Sequence, residues 1–256
     1  MNGVSPLLFD STNDACWLVT LNAPKGNIID TSMIRALTDV VIRAAETQRL
    51  KAIIFTGAGP HFSFGASVKE HQPGEVETLL PAFHDLIRRT FECGVFTIAA
   101  VRGQCLGGGL ELASACHRIV ASPDAHFGQP EILLGVFAPA GSVLLPERIG
   151  RARAEDLCLT GRIIGSVEAL RIGLVDDLAD NPVESALKYT NDHLSKLSAS
   201  TLRHAVRAVR LPLAQRFNET IQQLEHRYLN DLMKTADAKE GISAFLEKRT
   251  AKWRDA

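Results

Sequence analysis

Residues 97–135 read TIAAVRGQCLGGGLELASACHRIVASPDAHFGQPEILLG, and two acids in this stretch decide how the chain is read. The apolar run 97–101 predicts a strand buried on both faces. It leads to Gly107-Gly108-Gly109, which opens a short apolar helix carrying one acid, Glu111. Further on, Glu131 sits between Gln129-Pro130 and Ile132-Leu133-Leu134. An ionised carboxylate in apolar surroundings is costly unless it is paired or used. A glutamate in a helix's first turn gains roughly 0.3–1 kcal/mol from the macrodipole. That explains an exposed Glu111, but not one flanked by Leu110, Leu112 and Ala113. A surface loop is the commonest place for a glutamate, yet the apolar neighbours of Glu131 argue against one. Two such acids, each beside a glycine or proline loop, point to an acid/base pair.

The glycine triplet follows a strand and opens a helix, where missing side chains let a ligand approach the backbone and free N–H groups face outward. It has neither the G-K-[ST] ending of a phosphate loop nor the G-x-G-x-x-G spacing of a dinucleotide turn. The eight histidines show no metal-ligand spacing, so no metal is expected, and His117 and His126 read as structural.

Outside this stretch, residues 17–21 and 51–56 predict further strands and residues 22–27 a turn around Pro24 and Gly26. Thr31-Ser32 offers an N-cap to a helix whose apolar face holds Met33, Ile34, Leu37, Val40, Val41, Ala44 and Ala45. Residues 79–91 predict another helix, and residues 118–121 a strand. Strands alternating with helices give an α/β class. From about residue 152 helical periods dominate, with one strand expected at 174–178, and residues 185–254 read as almost wholly helical. No internal repeat or low-complexity linker is visible. The change of class near 195–200 divides the chain into residues 1–197 and 198–256.

The 256 residues are 46% hydrophobic and 22% charged, with a net charge of −1. That balance disfavours a polyanion-binding protein. Five scattered cysteines without C-x-x-C spacing fit reduced thiols in an intracellular protein. The opening MNGVSPLLFD lacks the basic and apolar regions of a secretory leader, no apolar run reaches membrane-spanning length, and the last residues are no peroxisomal address. The expectation is a cytoplasmic protein that binds neither membrane nor nucleic acid.

Five segments, taken together and in order, resemble the enoyl-CoA hydratase/isomerase (crotonase) superfamily: LNAPKGN at 21–27, FSFGAS at 62–67, AVRGQCLGGGLELA at 100–113, FGQPEILLG at 127–135 and FLEKR at 245–249. The resemblance covers nearly the whole chain. It implies a spiral of ββα units with a C-terminal helical region that builds trimers and often hexamers. It also implies an acyl-CoA substrate, coenzyme A entering as part of that substrate and not as a cofactor.

By the same resemblance, the backbone N–H groups of Ala66 and Gly108 form an oxyanion hole for the thioester oxygen. Losing one such donor typically costs roughly a hundred- to a thousandfold in rate. Glu111 and Glu131 match the two hydratase glutamates, which hold one water and exchange a proton with the acyl chain. Two carboxylates sharing a site titrate as a coupled pair. Many isomerases of the superfamily work with one acid, so both acids together favour hydration. Lys25, Lys248 and Lys252 match lysines that meet CoA phosphates, the C-terminal ones reaching a neighbouring subunit. Some relatives bind RNA, a reading this near-neutral chain disfavours.

Departures from the common pattern narrow the resemblance. The stretch GVFAPAGS at 135–142 replaces a glycine-rich one, Ser67 stands where an aspartate is common, and the segment GNIID at 26–30 is short. In these features the chain is similar to the cyclohexa-1,5-diene-1-carbonyl-CoA hydratases of anaerobic aromatic degradation. Phe137, Ala138 and Pro139 would then form an acyl-pocket wall shaped for a ring.

Overall fold

The apolar runs pair side by side. In a computed structural model, which describes residues 5–256, nine strands form two sheets. They are β1 (Leu7–Asn13), β2 (Cys16–Leu21), β3 (Ala52–Gly57), β4 (Phe96–Val101), β5 (Gln104–Leu106), β6 (Arg118–Ala121), β7 (His126–Gly128), β8 (Ile163–Gly165) and β9 (Asp177–Leu178). The larger sheet has the order β1-β2-β3-β4-β6-β9 and the smaller β5-β7-β8. Residues 1–4, where the segment read for a secretory leader begins, lie outside the described residues.

From β2 to β9 the larger sheet is parallel, so both its faces need covering. Ile53, Phe55, Ala99 and Val101 enter the main core. Ala52, Ile54, Ile98, Ala100 and Val120 face a second cluster with Ala186 and Leu194. This two-sided burial explains why β3 and β4 read as continuous apolar runs instead of alternating ones.

The helices are α1 (Thr31–Glu46), α2 (Val76–Glu92), α3 (Gly108–Ala115), α4 (Pro139–Ile149), α5 (Arg151–Thr160), α6 (Ser166–Arg171), α7 (Pro182–Tyr189), α8 (Ala199–His226) and α9 (Ala236–Leu246). The chain leaves β4 for β5 and then α3, and leaves β6 for β7. Each passage adds a strand to both sheets. Parallel bridges Ile29–Ala66 and Ser63–Cys105 repeat the same lateral step earlier in the chain. The result is the expected spiral of ββα turns. Phe217 and Ile221 of α8 lie in the same core as the sheet residues.

Four local expectations are corrected. The α1 cap is Asp30, whose carboxylate accepts from Met33 N at 2.9 Å, while Thr31 N and Oγ1 are held by Glu70. The strand expected at 174–178 shrinks to β9. Leu174 and Val175 are buried before it, and the Asp176 carboxylate takes the Ile119 N–H at 2.7 Å. Ile132 and Leu133, whose apolar run argued against a surface loop at Glu131, are themselves exposed. They lie on a 3-10 turn, Pro130–Leu134, whose period puts Glu131 and Leu134 on one side and leaves the intervening residues outside. Helix also ends earlier than residue 254. After α9, Lys248 takes φ +56°, and the tail folds back so that Lys252 N donates to Glu240 and Arg254 N to Asp237.

Candidate active site

The sharp turn at the end of β5 builds the centre. Gly107 takes φ +50°, a region that L side chains rarely adopt. A Cβ there would also stand 2.8 Å from Glu131 Oε1, so the missing side chain lets the carboxylate rest on the backbone. The chain then enters α3 at Gly108, where a Cβ would lie 3.0 Å from the Ala66 nitrogen. Neither the Ala66 nor the Gly108 N–H has a hydrogen-bond partner among the described residues. Two free amides flanking one space are what a developing oxyanion needs.

One turn into α3, Glu111 is buried and accepts from Gly141 N at 2.6 Å. Gly141 lies in the first turn of α4, whose N-cap position, Ala138, supplies no side-chain cap. Glu111 therefore takes that part across a long sequence gap, and the free N–H groups of α4 favour its charge. Burial nonetheless pushes the Glu111 carboxyl up; His84 and the N–H groups of Gly141 and Ala140 oppose that push. Glu131 is raised to about 8, first by burial and then by the negative charge of Glu111. With its amide nitrogen turned toward Glu131, Gln129 lies 3.2 Å from both carboxylate oxygens and from the Gly107 carbonyl. Two carboxylates coupled in this way give up their protons in two steps that belong to the pair.

Three spaces share walls around these groups. An open cleft of about 530 Å³ is lined by the 22–27 turn, residues 58–61 and Phe64. Phe64 also lines a cavity of about 70 Å³ with Ala66, Gly108 and Glu131. Ala66, His71, Gly108 and Glu131 pass on to a third, of about 30 Å³, which adds Glu111 and Tyr228. The structure thus brings Glu111, Glu131, Ala66, Gly108, Phe137, Ala138 and Pro139 to one centre, with Lys25 in the cleft. It does not bring Lys248 or Lys252 there; both are exposed beyond α9.

Sequence reasoning missed several residues of this centre. His71 and Ile242 line its cavities. His84 backs it, buried, with Nδ1 2.6 Å from Glu225 Oε1. Tyr228 closes it from a π-helical turn, Arg227–Asp231. On helices these residues read as core, and the one available signal was a His or Tyr among aliphatic neighbours.

A spiral of ββα turns that sets two unpartnered amides beside one buried and one half-buried carboxylate, with an open cleft on the far side of Phe64, defines a site for acyl groups whose carbonyl oxygen must carry charge. The sequence profile described as Enoyl-CoA hydratase/isomerase matches residues 11–256, and the chain belongs to that family. It is 49% identical over 233 residues to the cyclohexa-1,5-dienecarbonyl-CoA hydratase of Thauera aromatica, covering 91% of this chain and 90% of that one. It is 36% identical to a probable enoyl-CoA hydratase of Mycobacterium bovis, with 91% of each chain covered. Among solved structures, an enoyl-CoA hydratase/isomerase from Pseudoalteromonas atlantica superposes with a TM-score of 0.87 at 26% identity, covering 97% of this chain and 99% of the other. An enoyl-CoA hydratase from Mycobacterium avium subsp. paratuberculosis superposes with a TM-score of 0.86 at 25% identity, covering 99% and 100%.

Proposed function

We propose that this chain adds water to an α,β-unsaturated acyl-CoA thioester, and that the acyl group is a cyclic diene, cyclohexa-1,5-diene-1-carbonyl-CoA. One observation carries the reading: the two free amides and the two carboxylates line one cavity, and the cavity beside it shares the Phe64 wall with the open cleft. The cleft takes the CoA portion, with Lys25 at its wall. Lys248 and Lys252 serve the CoA phosphates of a neighbouring copy.

The thioester oxygen accepts from Ala66 and Gly108. Glu111, the member of the pair whose charge is eased by α4 and His84, takes a proton from water. The water oxygen bonds to the acyl chain, the π electrons move onto the thioester oxygen as an enolate, and Glu131 returns a proton to carbon. Burial and the charge of Glu111 favour the protonated form of Glu131, while His84 and the N–H groups of Gly141 and Ala140 oppose the rise that burial imposes on Glu111. The identity with the Thauera aromatica enzyme and the aromatic wall at Phe137, 5.3 Å from the Tyr228 ring, support the cyclic acyl group.

The protein works as a trimer or hexamer; exposed Ile132, Leu133, Leu159, Ile163, Val167 and Leu170 support an interface. Five free cysteines support a reducing, cytoplasmic setting.

The test is hydration followed by ultraviolet absorbance with crotonyl-CoA and with the cyclic dienoyl-CoA. Faster turnover of the cyclic diene is expected, with a loss of roughly a hundredfold or more in Glu111→Gln. Preference for crotonyl-CoA would return the chain to general enoyl-CoA hydratases, and no turnover of either would overturn the hydratase reading.

A further inference from the structure

Tyr228 is 1% exposed, and its hydroxyl is buried without a hydrogen-bond partner. Buried hydroxyls are rarely left so, and such an exception calls for a ligand. The ring is held on two sides, by Phe137 at 5.3 Å and by His71 at 6.3 Å, both edge-on. His71 is itself fixed through Nδ1, 2.8 Å from the Ser67 carbonyl. Since a carbonyl only accepts, Nδ1 carries the hydrogen. The segment that presents Tyr228 is a π-helical turn directly following α8, a local widening of the helix that recurs at functional sites. Tyr228 lines the smallest of the three cavities together with Glu111 and Glu131.

We infer that the Tyr228 hydroxyl is a third polar contact of the acyl pocket, donating a hydrogen bond to the oxygen that is added to the acyl chain, as water before the step and as the product hydroxyl after it. The inference rests on the hydratase reading and deepens it. Burial, together with the charges of Glu131 and Glu111, holds the phenol far above its ordinary range, so it stays a donor at every working pH. The proton accounting of the reaction is therefore unchanged. The carboxylates exchange the protons, and the phenol fixes where the oxygen sits. A donor placed there favours acyl chains that carry, or are about to carry, an oxygen on this side of the pocket.

The experiment compares wild type with Tyr228→Phe, which keeps the ring contacts and removes only the hydroxyl. Initial rates are measured on whichever of crotonyl-CoA and the cyclic dienoyl-CoA the wild type turns over faster. Calorimetry gives the Kd of butyryl-CoA, a saturated probe with no oxygen to receive the bond. The expected result is a kcat roughly tenfold lower, with KM and the butyryl-CoA Kd unchanged. An unchanged kcat would overturn the inference while leaving the hydratase reading intact. A parallel weakening of butyryl-CoA would overturn it too, by reducing Tyr228 to a packing residue. Absence of wild-type turnover on both substrates would remove the hydratase reading, and this inference with it.

Discussion

At Glu131 two requirements meet. In the proposed reaction the group must hold a proton, and it must do so beside the charge of Glu111, which helps to raise it. The same raised pKa has a cost in stability. Folded Glu131 keeps its proton to about pH 8, whereas the unfolded side chain loses it near the ordinary 4.5 of a glutamate. Between those limits the folded state binds more protons, so stability falls as pH rises. Glu131→Gln is therefore expected to melt at a higher temperature than wild type at pH 8.5, with the gap closing toward pH 4.5. In the wild type, kcat/KM should fall above about pH 8 as Glu131 ionises. Scanning calorimetry and a pH–rate profile check the two halves. A gap that widens toward acid would refute this assignment. Both acids could be singled out from the sequence because each is a charge among apolar neighbours. His71, His84 and Tyr228 could not, because nothing local distinguishes a pocket-facing ring from a core ring.

The elements that matter most for chemistry are short. α3 and α4 face each other through Glu111, one supplying the carboxylate and the other the N–H that holds it. The α3 entry is the tighter constraint. Gly108→Ala adds a Cβ 3.0 Å from the Ala66 nitrogen and 3.3 Å from the Phe83 ring, and Gly108 has no left-handed φ to strain. The expected outcome is a fold that survives, with Tm lowered by a few degrees at most, and turnover reduced about a hundredfold as the space between the amides fills. Equal losses of activity and stability would mean that the glycine serves packing alone. The long apolar strands β3 and β4 were legible because burial on both faces writes itself as a continuous run. β5, β7 and β8 were not. Each has three residues, too few for any period to show, and their pairing is set by the turns of the spiral stacked beside them. The ββα repeat stayed hidden in the sequence for the same reason.

At the scale of the whole molecule, α5, β8 and α6 carry a run of exposed apolar residues, Leu159, Ile163, Val167 and Leu170. Val167 is 73% exposed and Leu159 69%, far more than scattered surface aliphatics require. If that face joins copies of the chain, Val167→Lys should sediment as a smaller species than wild type in analytical ultracentrifugation. Identical sedimentation would move the interface elsewhere. The C-terminal region was legible as helix, but its second task was not. Tyr228 and Ile242 wall the acyl pocket of the same chain, and Val136, Leu80 and Val76 join them in a separate apolar cluster. This placement has a consequence for how the protein comes into being. During synthesis the amides of Ala66 and Gly108 and both glutamates leave the ribosome well before the tail that closes over them. The spiral can wind early, but its pocket stays an open trough until residues 228 and 242 arrive, so the segment that carries Tyr228 and Ile242 decides when a folded scaffold becomes a reaction chamber.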